Sequence, residues 1–393
     1  MDHVVVVGAG IGGLAASLVL SRVARQVTLV ERAEHPAEVG AALALQANGM
    51  AVLAGLGLLP AVAAAGARID RMEVRNARGR ALLTSAVPDF GGGLDHAIAV
   101  RRTDLHQPLL AAVLESTSVQ TRFGCSVVSA DPSGTVIVSG SRDATTLRAD
   151  LVVGADGSNS AVRGTGGFTS RVSTGTTYVR TIIQRQANPW FEEFWTPLGS
   201  VGHAPLGDGT TYFWAAAQPA AMADALSHRN LGSLIRQWRP VLPIAAELLG
   251  AVRSFDDLLI NTVRRVDCRR WHSGRLVLLG DAAHAMAPNL GQGANSALVD
   301  GVVLAESLAT APSVEEGLTR YDQYRRPIAR RVQNTAGLLQ RLCNLSRPVA
   351  IRLRDAPLIG LNHVPKLGEQ GTRRALSSDI RAVRSASVLD GPH

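Results

Sequence analysis

Apolar positions fall into two textures along this chain. Val4 to Val7 is an unbroken β-branched run, the pattern of a parallel strand covered on both faces. Leu14 to Val23 follows as an apolar helix and Gln26 to Glu31 as a second strand. The same texture returns at Leu151 to Gly157 and at Arg275 to His284, each a strand running into a turn. Between these, the pattern predicts a loop over 33–45, a helix over 46–58, strands near 70–75 and 96–101, and a helix from Leu105 to Glu115. A hairpin is predicted over 125–138 around Pro132, Ser133 and Gly134. From about 170 to 265 the texture changes to strand-like runs at 176–184, 200–204 and 210–216, separated by Pro and Gly. A long helix follows Gly291, and a charged helix spans 314–344. The last twenty-odd residues are rich in Ser, Arg and Gly and are expected to be poorly ordered. The pieces of one parallel α/β fold thus lie at 1–75, 96–165 and 266–345, with a β-rich lobe inserted around 170–265.

Composition narrows this reading. A chain of 393 residues, 46% hydrophobic and 18% charged, can bury a large core. No run of about 18 apolar residues escapes a charge or a turn, so no membrane span is expected. The apolar start lacks a basic leader and runs straight into glycines, so it reads as a first strand and not a signal peptide. Cys125, Cys268 and Cys343 stand singly, which fits a reducing cytoplasm and predicts no structural metal. Net charge is +8, and residues 320–393 alone hold fourteen Lys/Arg against five Asp/Glu. No aromatic interleaves the cations from 325 onwards, so a solvated basic helix and tail is expected, not a nucleic-acid arm.

Three segments carry chemistry. The first is Gly8-Ala9-Gly10-Ile11-Gly12-Gly13, set between strand and helix, with Glu31 closing the next strand. Gly8 permits the turn, Gly10 lets a pyrophosphate approach the backbone, and Gly13 lets helix and strand pack closely. Glu31 is placed to accept hydrogen bonds from ribose hydroxyls. These features do not separate FAD from NAD. The second segment runs from Asp150 to Arg163 and contains Asp156-Gly157, with Ser160 and Arg163 one helical turn apart. The third is Gly280-Asp281-Ala282-Ala283-His284, then Pro288, then Gly291-Gln292-Gly293-Ala294-Asn295 and Asp300. Its strand-end carboxylate can hold a polyol hydroxyl, and its glycines open a helix whose N–H groups can face a developing anion.

In this order and spacing, the three segments resemble the fingerprints of the class A flavoprotein monooxygenases, the para-hydroxybenzoate hydroxylase-like family. The resemblance covers roughly residues 1–345. It implies an α/β fold: a Rossmann-like FAD-binding domain with an inserted β-rich substrate domain and C-terminal helices. Residues 1–170, which include some substrate-lobe strands near 70–100, and 266–345 would be the two parts of the FAD-binding domain. Residues 171–265 would be the substrate domain, and 346–393 a basic C-terminal segment, partly disordered. The resemblance further implies that Gly8, Gly10, Gly12, Gly13, Glu31, Arg32, Arg102, Val128, Asp156, Gly157, Asp281, Pro288, Gly291, Gln292, Gly293 and Asn295 surround FAD. Asp281 would hold the ribityl chain and Pro288 the edge of the ring. N–H groups of Leu290 to Gly293 would face the negative charge of the reduced ring. Such enzymes reduce FAD with NADH or NADPH, form a C4a-hydroperoxyflavin from O2 and hydroxylate an aromatic substrate. Gln46 departs from the family, which often has proline there. The CxxxxC of disulfide reductases and the WxWxIP of flavin halogenases are both missing from the sequence.

The substrate is expected between flavin and lobe. Strand alternation puts Thr210, Tyr212 and Trp214 on one face, and Tyr178 shares a face with Arg180. Tyr212 is the candidate for bonding a substrate oxygen, and Arg180 for pairing with a carboxylate or phenolate. His203 is a candidate base or a packed core residue. His284 is expected to orient its turn, and His106 needs no role. Trp190, Phe191, Phe194 and Trp195 form either an aromatic box or sheet packing. Two other functions remain open from sequence: a flavin-dependent dehydrogenase or oxidase, which includes no oxygen from O2 in product, and a non-catalytic flavoprotein. Epoxidation and Baeyer–Villiger oxidation belong to the same chemistry.

Overall fold

The Val4 to Val7 run becomes the middle of a six-stranded sheet. In a computed structural model, which describes residues 1–36, 41–140, 144–186, 188–362 and 366–390, the strand His3–Val7 is completely buried from Val4 to Val6. It pairs in parallel with Leu151–Gly154 on one side and Gln26–Val30 on the other. Leu276–Leu278 and Val119–Arg122 extend the parallel set, and His272–Ser273 closes one edge antiparallel. Helix Ile11–Leu20 covers this sheet and crosses helix Gly293–Thr310 at small residues. A Cβ on Gly301 would lie 3.1 Å from Ala16 Cα, so the two backbones touch. The fold is thus α/β with a Rossmann-like sheet, as expected.

A second sheet of seven strands runs Leu259–Cys268, Ser170–Ile183, Thr211–Ala216, Gly199–Pro205, Phe191–Thr196, Arg71–Asn76 and Ala81–Ala86. Its last two strands come from the first hundred residues, and Phe191–Thr196 pairs with Arg71–Asn76 in parallel. Three short helices, Ala220–Ser227, Leu231–Trp238 and Pro243–Gly250, cover one face of it. The lobe is therefore not β-rich throughout. The pattern hid these helices because each has only eight residues and breaks at Arg229-Asn230 or near Pro240 and Pro243. The loop expected over 33–45 contains the strand Ala42–Leu45, which pairs with Ala97–Arg101; residues 37–40 lie outside the described set.

The C-terminal segment departs most from expectation. Sequence predicts a basic, partly disordered segment over 346–393, yet its described residues form helices Pro348–Leu361 and Lys366–Arg384. Leu376, Ile380 and Val383 recur at helical spacing and are buried in the main core. Composition suggested a tail; periodicity holds the segment down. No helix of the described residues is long and apolar enough to cross a membrane.

Candidate active site

The glycine loop is folded tightly enough to exclude side chains. Gly8 has φ +102°, and a Cβ there would sit 2.6 Å from the Ala155 carbonyl oxygen. A Cβ on Gly13 would overlap the Gly8 carbonyl itself. Glu31 braces this loop: its Oε2 accepts from Ala9 N at 2.8 Å and its Oε1 from Ala33 N at 3.0 Å. Each oxygen keeps a second lone pair for a ribose hydroxyl. His106, given no role by sequence, is buried, with Nε2 2.8 Å from the Ala9 carbonyl oxygen. Arg32 and Val128, expected beside the cofactor, are both exposed and lie outside the cavity described below.

Asp156 serves its own helix first. Its Oδ2 accepts from Ala161 N at 2.7 Å and Val162 N at 3.2 Å, while Oδ1 is buried with no partner among the described residues. Burial raises its carboxyl above the usual range against those hydrogen bonds. Arg163 joins this segment to the third motif, donating at 2.7 Å to the carbonyls of both Ser158 and Ala282.

In the third segment Gly280 takes φ +57°, and its N–H donates to Asp300 Oδ2 at 2.9 Å. The same oxygen is 2.6 Å from His284 Nε2, so His284 orients the turn. Asp300 Oδ1 accepts from Arg325 Nε at 2.8 Å, and Arg325 Nη1 donates to Asp379 Oδ1 at 2.5 Å. All three charged groups are buried. Burial opposes ionisation of Asp300, but His284 and Arg325 outweigh it and hold the carboxyl low, at about 2. Asp281, Pro288, Gly291 and Gly293 line the cavity. Gln292 and Asn295, expected at the cofactor, turn their side chains inward instead. Gln292 bonds Gln46 and Asn48, and Asn295 bonds Gln46 N and the carbonyls of Ala44 and Gly291. They shape the loop from behind.

On the seven-stranded sheet, one face carries Tyr178, Arg180, Ser200, Tyr212 and Trp214 into the cavity. Rings of Phe191 and Tyr212 flank Trp214, with centroids 5.0 and 5.2 Å away, and the Arg180 guanidinium lies 5.0 Å over the Tyr178 ring. Burial pushes the Tyr212 phenol up, against the pull of Arg180 and Arg102. His203 is not among the cavity's lining residues. It sits on the opposite face with Val201 and Phe213, and its Nε2 is 3.1 Å from Glu192 Oε2, so the base role falls away. The aromatic cluster is divided: Phe191 lines the cavity, whereas Phe194 packs under the three helices and Trp195 against Leu82 and Cys343. Glu193 was missed by sequence reasoning. It lines the cavity, is buried, and has its carboxyl pushed up by that burial to about 7, against the Trp195 hydrogen bond. Paired acids inside the aromatic run Trp190 to Trp195 were the available signal.

All of this surrounds one cavity of about 570 Å³. It is continuous from Gly10 and Gly12, past Arg102, Asp281 and Pro288 to Gly291, to the aromatic face of the sheet. The sequence profile of the FAD binding domain family matches residues 1–336. This chain belongs to that family. It is an FAD-dependent monooxygenase. It is 32% identical to the aurachin C monooxygenase/isomerase of Stigmatella aurantiaca, over 82% of this chain and 84% of that protein. It is 31% identical to a 3-amino-4-hydroxybenzoate 2-monooxygenase of Streptomyces platensis, over 92% and 97% respectively. The solved structure of p-nitrophenol 4-monooxygenase from Pseudomonas putida shares the fold, with TM-score 0.78, 20% identity and full coverage of both chains.

The cavity of this monooxygenase fits FAD. Gly10 and Gly12 line the cavity at the N-terminal end of helix Ile11–Leu20, and that helix has no acidic residue in its first turn to repel a pyrophosphate. Gly291 and Gly293 leave the Pro288–Leu290 turn bare towards the cavity.

Proposed function

We propose that this enzyme consumes NADH or NADPH and O2 to hydroxylate an aromatic small molecule lying between the Pro288–Leu290 turn and the sheet face of Tyr212 and Trp214. One atom of O2 enters the substrate as hydroxyl, and the other leaves as water with the two electrons and the protons that the nicotinamide and solvent supply. The single observation that carries this reading is the continuity of the cavity from the glycine loop to an aromatic floor. The relatives support it, since one is named for an aminohydroxybenzoate and acts as a monooxygenase.

Bound FAD supplies activation of O2 by two-electron reduction. The protein's own residues bind, orient and exclude water. Arg102 and Asp281 line the cavity and would hold the cofactor between its phosphates and its ring. The Gly291 N–H is taken by the Pro288 carbonyl, so the N–H groups of Gln292 and Gly293 are the ones that would favour negative charge on a bound ring. Tyr212 bonds a substrate oxygen, Arg180 neutralises it, and Trp214 and Phe191 keep the ring dry and flat.

The test is NAD(P)H oxidation by the FAD-loaded protein over a panel of phenols and nitrogen heteroarenes, with mass spectrometry under 18O2. One labelled oxygen in the product is expected. Oxidised product without label and without need of NAD(P)H would establish a dehydrogenase or oxidase instead.

A further inference from the structure

Register across the seven-stranded sheet sets four residues in one row. Arg180 pairs with Trp214, Trp214 with Gly202, and Gly202 with Glu193. Residues directly opposite in an antiparallel pair point to the same face, so all four belong to the cavity side. Gly202 contributes no side chain, and a Cβ there would overlap the Trp214 ring. The indole therefore lies across the gap that Gly202 leaves. The row is an aromatic floor with a guanidinium at one end and a carboxyl at the other, three strand spacings or about 14 Å apart at the backbone.

The Glu193 end is built to receive a polar group. Glu193 Oε1 accepts the Trp195 indole N–H at 3.0 Å, which leaves Oε2 for a donor from the cavity. Tyr178, also lining the cavity, is 1% exposed, and its hydroxyl, set between Ser200 and Gln340, makes no well-aligned hydrogen bond among the described residues. Asn289 Oδ1 nearby is likewise buried and unpartnered. Unsatisfied buried groups of this kind are uncommon and point to an absent ligand or water.

We propose that the substrate is bipolar: an aromatic with an oxygen anion held by Arg180 and, across the ring system, an amine or ring N–H donated to Glu193. This rests on the reading that the substrate lies over this sheet face, and it assigns Glu193 as the residue that selects for a donor. A carboxyl pushed up by burial suits that task, because it can take a proton in the empty site and give it up to accept from a bound donor.

The test uses the full FAD-loaded chain and two probes, benzoate and 4-aminobenzoate, with dissociation constants read from perturbation of the oxidised flavin spectrum. The amino compound is expected to bind at least about tenfold tighter, the gain of one hydrogen bond to a charged acceptor. In Glu193→Gln the ratio is expected to fall to about one, because the Trp195 N–H claims the amide oxygen and turns the NH2 to the cavity. Glu193→Leu is the second variant and should give the same loss. Arg180→Gln should weaken both probes and leave the ratio intact. A ratio near one in the unaltered enzyme, a ratio unchanged in both Glu193 variants, or no binding of either probe to the yellow protein would overturn the proposal. Binding is read without turnover, so failure of 18O incorporation would sink the hydroxylase reading and leave this ratio standing.

Discussion

Gln46 Nε2 donates to the carbonyl oxygen of Leu290 at 2.7 Å, tying the start of helix Ala47–Gly55 to the Pro288–Leu290 turn at the cavity. Gln46 Oε1 takes the Gln292 amide at 2.8 Å, and Asn48 links Gln292 onward to Asp379 of the last long helix. Where the family often has a rigid proline, this chain holds the same loop by side-chain hydrogen bonds.

Gln46→Leu removes both bonds and leaves the Leu290 carbonyl and the Gln292 amide unsatisfied. The cost is about 1–3 kcal/mol, felt where the loop must meet FAD. The FAD dissociation constant, measured by fluorescence on release, should rise by about tenfold or more. An unchanged constant would show that the loop is set by backbone packing alone.

The Asp300–Arg325–Asp379 triad predicts a stability effect with a definite pH sign. Asp379→Ala leaves the buried Arg325 with one carboxylate in place of two and should cost about 3 kcal/mol in denaturant unfolding. Asp300 has its pKa lowered from 3.8 to about 2. A depressed carboxyl stabilises the fold above its unfolded value, and that contribution is lost as pH falls through the folded value. Unfolding free energy should therefore drop between about pH 4 and pH 2, and Asp300→Asn should flatten that part of the profile.

Gly13 and Gly164 separate conformation from space. A methyl on Gly13 would overlap the Gly8 carbonyl, whereas one on Gly164 meets nothing within 4 Å. Gly13→Ala should open the glycine loop and yield protein that retains little or no FAD. Gly164→Ala should purify yellow with unfolding unchanged within about 0.5 kcal/mol. Equal FAD content in the two variants would contradict the close packing of loop and strand.

Tyr212→Phe should separate oxygen activation from oxygen transfer. The change scarcely alters volume, so fold and FAD should persist. If the hydroxyl orients substrate, its loss costs about 1–3 kcal/mol in the step that needs alignment. More of the activated oxygen should then leave as H2O2. The ratio of peroxide to hydroxylated product at saturating substrate is the readout, and an unchanged ratio with unchanged turnover would return Tyr212 to sheet packing.

The amino-acid sequence alone determined the dinucleotide-binding half. Its signals are local: the valine run for a doubly covered strand, glycines where a Cβ cannot fit, and an acid at a strand end. Strand alternation also grouped Tyr212 with Trp214 and Tyr178 with Arg180 on shared faces, because it is a property of consecutive residues, and the structure turns both pairs to the cavity. Sequence could not say which face of a strand meets the cavity, so His203 stayed open between base and packed core residue; register gave it to the core, since one residue of register exchanges core for cavity. The inward turn of Gln292 and Asn295 depended on Gln46 and Asn48, almost 250 positions away. The anchoring of the basic C-terminus depended on Arg325 meeting Asp379 across 54 residues. The row from Arg180 to Glu193 joins three separate strand pairings. Each of these is a long-range match of charge or register. Only the tertiary structure decides such matches, because hydrogen bonds and packing act between atoms near in space, whatever their separation along the chain.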